Sequence, residues 1–346
     1  MKPFDSVRGQ MLWPWKVACI SLLILVGCGS EKEEACVTVP DTRNVELELT
    51  VEHFEDSIAA ISGKSELVAF FTREPVIRDF IFRRQEYPDD SVFIREIHQR
   101  VTNPHFDSLL LETKKIFGDG SALKSEFEMA FRNLKYHFPD VKIPKIKTVI
   151  SKLDTDIFMS DSLIVVGLDY YLGKEGRYRP KLYEYLLRKY DPEDIVPSVM
   201  LVYGIDERFN KTNISDKTVL ADMVAYGKSF YFAKRMLPCV PDSTLISYTR
   251  QEIEGSRKNQ DLIWARFIES EVLYSTSHMV KKDYLGERPA TIQVGEKCPG
   301  RIGQWVGWQI VEKYMKTHPD VTLSQLMDMA DAQKLFRESR YKPTDR

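Results

Sequence analysis

The first thirty residues set the compartment in which this chain must fold. Lys2, Arg8 and Lys16 precede an apolar run from Val17 to Val26 that stops at Gly27-Cys28. Basic flank, short apolar core and small residue follow one another in the order of a secretory signal peptide. The run is too short to cross a hydrocarbon core of about 30 Å, which needs roughly 20 helical residues. Its end, Leu25-Val26-Gly27-Cys28, resembles the bacterial lipobox, in which the cysteine thiol is acylated and the signal then removed. We therefore expect residues 1–27 to be a lipoprotein signal peptide and Cys28 to be the lipid attachment. Acyl chains, at about 0.8 kcal/mol per buried methylene, would tether the body to a membrane without embedding it.

Residues 28–40 read as a lipid-anchored tether, because Gly29-Ser30-Glu31-Lys32-Glu33-Glu34 is polar and has no apolar periodicity. The acidic residues after Cys28 also resemble surface-export signals of lipoproteins in the Bacteroidetes, interrupted by Lys32, so a solvated linker and an export signal both stand. Removing residues 1–27 deletes three basic residues against Asp5 and takes the formal charge below the −2 of the full chain. That near balance, 49 basic against 51 acidic residues, excludes a generic nucleic-acid binder. Beyond Cys28 the cysteines are Cys36, Cys239 and Cys298, an odd set in an oxidising compartment. One bridge, such as Cys239 to Cys298, and three isolated thiols are equally compatible with the sequence.

Residues 41–346 read as a single α+β domain, mostly helical, with a small β-sheet and an N-terminal helical subregion. Apolar residues recur at spacings of three and four over 90–117, 122–138, 180–190, 219–237, 261–274 and 300–315. Strand patterns are fewer: the alternation of Val45 to Val51, the β-branched run Ile146 to Ile150, and Ser162 to Gly167. Pro139-Asp140 and Pro144 separate the first helices from the strands.

Catalytic signatures are missing from this pattern. No two of the six histidines stand four apart, so no helix presents the H-E-x-x-H pair of a zinc protease. Neither a G-x-S-x-G elbow nor a phosphate-cradling P-loop occurs. Pro299 opens a helix in which Gly303 and Gly307 fall one turn apart, a spacing that lets a neighbouring backbone come close. Asp169, after the apolar run Leu163 to Val166, can cap a turn or orient a site. The tyrosines at 170, 171, 183, 185, 190 and 203, with Trp305 and Trp308, suit a core or an interface.

These residues carry a resemblance. The lipobox, Phe70-Phe71, residues 136–140 (Tyr-His-Phe-Pro-Asp), 165–173, 226–232, 273–276, the long glycine and tryptophan segment 299–311, and 339–343 together resemble the GldB family of gliding-motility lipoproteins from the Bacteroidetes. The resemblance covers most of the mature chain in order. It implies a non-enzymatic envelope lipoprotein that supports gliding motility and the associated type IX secretion machinery by binding protein partners. It also implies membrane association through acyl chains such as palmitate, placed in the outer membrane facing the periplasm or exposed at the surface. No cofactor, metal or nucleic acid enters this reading. The body is further similar to a zincin whose metal helix has decayed, with Tyr226, Gly227 and Phe230 where H-E-x-x-H would place ligands and base. Glu252 or Glu254 then stands at the third-ligand position, and Asp169, Tyr226 and Arg301 would line a surviving peptide groove. The competing expectations are a lipid-anchored hydrolase using Asp169, Glu252 or Glu254, and a peptide- or glycan-binding module.

Overall fold

Strand alternation divides the body into two cores. In the computed structural model, which describes residues 36–38 and 40–343, Lys145–Val149 (β2) and Leu163–Gly167 (β4) send Ile146, Ile164 and Val166 into one hydrophobic cluster, and Val149 and Val165 into another. Successive strand residues face opposite sides, so a single sheet seeds both. Val51–His53 (β1) pairs parallel with β2, and β2 parallel with β4. Ile157–Met159 (β3) pairs antiparallel with β4 at the sheet's edge, giving the order β1-β2-β4-β3. The expected signal peptide (residues 1–27), the lipid attachment at Cys28 and most of the tether lie outside the described residues.

The smaller core is built with Glu55–Ala59 (α1), Lys64–Arg73 (α2), Asp90–Val101 (α3) and Pro104–Phe117 (α4), through side chains such as Ile58, Phe71, Phe93 and Phe106. The periodic stretch 90–117 holds two helices, as Pro104 within it requires. It breaks at Asn103, whose side chain accepts the His105 N–H at 2.9 Å while Pro104 takes the first helical position.

On the other face lie Ser121–His137 (α5), the short Glu184–Leu187 (α6), Ile195–Ile205 (α7), Val219–Met236 (α8), Asp242–Ile246 (α9), Arg250–Lys258 (α10), Gln260–Glu269 (α11), His278–Leu285 (α12), Ile302–Thr317 (α13), Leu323–Asp328 (α14) and Ala332–Ser339 (α15). Trp305 and Trp308 are fully buried there. The first helices thus divide between the two layers, with α5 joining the larger core. Among the described residues no helix is long and apolar enough to cross a membrane.

Three expectations need correction. The alternating segment from Val45 enters the sheet only at Val51, since Leu47 and Leu49 pack on the core without a ladder partner. Residues 180–190 are helical only over Glu184–Leu187, because the backbone is held instead by bonds such as Gly173 N–H to Tyr190 C=O at 3.1 Å. Of the cysteines, Cys36 bridges Cys239 and Cys298 stays free. The bridge fastens the N-terminal segment beside the end of α8, where Val37 N–H also bonds Pro238 C=O at 3.0 Å.

Candidate functional site

Helices α8 and α13 cross with their backbones in contact. A Cβ on Gly227 would stand 2.3 Å from the Gly307 carbonyl oxygen, and one on Gly307 would stand 1.8 Å from that of Met223. One turn on, Phe230 stacks on Trp308 with ring centroids 5.1 Å apart. Gly227 and Phe230 are therefore spent on packing and face no groove. Gly303 does the same toward α12, where its Cβ would meet the Tyr284 carbonyl oxygen at 3.0 Å. Tyr226 differs from its helix neighbours, being 37% exposed.

Beside Tyr226 lies a chain of paired charges. Arg301, at the left-handed start of α13 with φ 60°, donates from Nη2 to the Ile246 carbonyl at 2.5 Å and places Nε 3.3 Å from Glu287 Oε2. Glu287 also pairs with Lys189. The adjacent Arg188 reaches Glu252 at 2.5 Å, and Glu252 accepts the Thr249 N–H at 2.7 Å as the capping box of α10. Burial, then the neighbouring Arg301, lowers the Lys189 pKa while Glu287 opposes the fall. Burial, then Asp222 and Glu287, raises that of Tyr226, with Arg301 opposing. Each carboxylate of this array already faces a cation, as does Glu254, which accepts from Arg250 at 2.9 Å. Among the described residues no group of three His, Cys, Asp or Glu side chains is placed to hold a metal ion.

Asp169 stands apart from the array. It is fully buried at the end of β4 and accepts the backbone N–H groups of Ser151 at 2.8 Å and Leu153 at 2.6 Å. Lys152 and Leu153 both sit at φ 63°, a conformation that L side chains rarely adopt, so the carboxylate holds a strained turn. Burial pushes its pKa up to about 6 against those hydrogen bonds. Of the residues singled out in the sequence, the structure thus gathers Tyr226, Glu252 and Arg301, sends Gly227, Phe230 and Asp169 to structural duties, and leaves Glu254 paired with Arg250 on its own helix.

Lys189 links the charged array to an open groove of about 360 Å³ along β3, walled by Asp156, Ile157, Met159, Tyr171, Tyr190 and Val202 among others. The Tyr190 hydroxyl donates to Asp156 Oδ2 at 3.2 Å, and its ring meets those of Tyr170 and Tyr171 at 4.7 and 5.3 Å. The bonds Gly167 N–H to Asp156 C=O and Ser160 N–H to Leu163 C=O set the β3–β4 register. In an antiparallel pair the alternate residues turn their polar groups away from the partner. Ile157 and Met159 therefore point N–H and C=O outward; the Ile157 N–H donates to its neighbour Asp156 Oδ1 at 2.7 Å. Val202 and Ile205 of α7 add exposed apolar surface, at 47% and 42%. Past Met159 the groove meets a smaller depression where Arg208 pairs with Asp161 and Asp206.

Residues 157–159, Lys189 and Glu287 escaped the sequence reading. Tyr190 was visible only as one of a run of tyrosines, and the alternation of a three-residue strand is too short to register. Lys189 and Glu287 lie 98 positions apart, with no local motif to join them.

A family model described as gliding motility protein GldB, a lipoprotein family, matches residues 35–343. No curated protein and no solved structure matches the chain. The matched region takes in both cores, the charged array and the β3 groove, and the chain belongs to the GldB family of gliding-motility lipoproteins, held by lipid in the cell envelope.

Proposed function

We propose that this protein is a non-enzymatic lipoprotein that supports gliding motility, and with it the associated type IX secretion machinery, by binding an extended protein segment along β3. It would hang from acyl chains on Cys28 in the outer membrane of a member of the Bacteroidetes and face the periplasm. The β3 edge carries the reading. Outward backbone groups on Ile157 and Met159 border a groove with apolar walls at Val202 and Tyr171. An incoming strand gains main-chain hydrogen bonds from such an edge, and alternate side-chain pockets supply its selectivity.

The non-enzymatic part is supported by how the carboxylates are employed. Glu252 and Glu287 are neutralised by Arg188, Lys189 and Arg301, and Asp169 is closed off behind its turn. Glu252, the one of these that reaches a cavity wall, does so already paired with Arg188, unlike a free base or metal ligand.

Deleting the gene in its own organism tests the role. Loss of colony spreading with reduced secretion is expected, whereas a deletion strain that spreads and secretes normally would sink it. Zinc content and peptidase activity of the purified chain test the mechanism. Stoichiometric zinc, or peptide cleavage that Glu252→Gln abolishes, would establish a hydrolase instead.

A further inference from the structure

A cavity larger than the β3 groove lies elsewhere in the described body. It measures about 660 Å³ and lies between α10, the start of α11 and the loop 289–299, within the range of about 300–1,000 Å³ typical of small-molecule sites. The loop wall is built rather than slack. Thr291 N–H bonds Cys298 C=O at 2.8 Å, its hydroxyl bonds Pro299 C=O at 2.8 Å, and Cys298 N–H bonds Gly295 C=O at 3.0 Å.

Three features of the lining point to an occupant. Ser256 is 2% exposed and its hydroxyl has no hydrogen-bond partner, an uncommon state for a buried polar group. Gly255 on the helix wall and Gly295 on the loop wall would each carry a Cβ into open space, so neither glycine is required by packing. The remaining surface joins apolar Leu262, Ile263 and Val294 to Glu252, which is committed to Arg188, and Glu296 and Lys297 are exposed to solvent. Burial pushes the Cys298 thiol up to about 12, so it stands in the wall as a neutral group, not as a thiolate nucleophile.

We infer that this cavity binds an uncharged, largely apolar small molecule whose one hydrogen-bonding group partners the Ser256 hydroxyl. Away from the exposed Glu296 and Lys297, the one charged lining residue, Glu252, is neutralised by Arg188, so a charged ligand finds no counter-charge there. A single protein side chain would leave most of the space empty. The site is separate from the β3 groove and its ligand need not bear on motility.

Fluorescence titration of the full chain in detergent micelles with N-phenyl-1-naphthylamine, an uncharged apolar probe with one N–H, tests the inference. Saturable binding above the micelle background is expected. Gly255→Phe should abolish it by filling the cavity, without lowering the melting temperature, since a helix-interior glycine is a poor helix former. Gly295→Leu fills the same space from the opposite wall and serves if the first variant does not fold. Ser256→Ala should weaken binding about tenfold while leaving the melting temperature unchanged or raised. Native-like binding in a folded filled variant would overturn the proposal, as would Ser256→Ala lowering the melting temperature with no effect on binding.

Discussion

Gly227 and Gly307 place the backbones of α8 and α13 in direct contact, so that a methyl group at either position would overlap the other helix. The contact explains why two places expected to face a groove are packed. It also yields a contrast between glycines. Gly307→Ala pushes a Cβ to within 1.8 Å of Met223 oxygen, and overpacking of this kind costs about 1–3 kcal/mol or more. Gly255→Ala meets nothing within 4 Å and should gain about 0.5–1 kcal/mol as a helix interior position. Urea unfolding of the two variants should shift the midpoint in opposite directions.

Lys228, the next residue along α8, is 1% exposed and donates to three carbonyls, those of Lys211 at 2.8 Å, Met329 at 2.9 Å and Met327 at 3.2 Å. It ties α8 to the end of α14. Lys228→Met retains most of the side-chain volume but strips three acceptors of their partner. A loss of about 3–5 kcal/mol is expected, read as a lower midpoint in the same assay.

The bridge from Cys36 to Cys239 closes 203 residues of sequence. Cross-links over long loops stabilise mainly by restricting the unfolded chain, by about 2–5 kcal/mol. Cys36→Ser with Cys239→Ser should lower stability by that order, and a reductant should then have no further effect. Cys298→Ser, which breaks no bridge, should change the midpoint far less.

Much of this frame is legible from local chemistry. Thr218 caps α8 and the Thr249–Glu252 box caps α10, and the apolar spacing between such caps marks the helices. The close packing at Gly303 and Gly307 follows from their spacing, though not the identity of the neighbours, α12 and α8. Lys228 reads as a surface lysine in a sequence because its three acceptors arrive from 17 to 101 positions away. The site was partly visible for the same reason. Resemblance singled out Tyr226, Glu252 and Arg301, while their partners Lys189 and Glu287 belong to a loop and a helix end whose meeting only the tertiary fold decides.

Acidity should stabilise the fold. Burial, with neighbouring carboxylates, pushes Glu126 and Asp194 up to about 7, and burial pushes Glu312 up to about 7 as well. Unfolded carboxyls ionise near 4. Between about 4 and 7 the native state therefore holds more protons than the unfolded state, and stability falls as pH rises through that window. Unfolding free energies measured from pH 4.5 to 8 should decline across it, and Glu126→Gln should flatten the slope.

Docking of a partner strand on β3 should be blocked by Met159→Pro. The Met159 N–H points out of the sheet and is not part of the β3–β4 ladder, and an edge strand tolerates proline where its N–H faces outward. The substitution removes a docking hydrogen bond and places a ring in the groove while leaving the sheet paired. Introduced at the chromosomal locus, it should abolish colony spreading as fully as gene deletion does, with the protein present at native levels and with native melting temperature. Normal spreading by cells that carry the folded Met159→Pro protein would contradict the account.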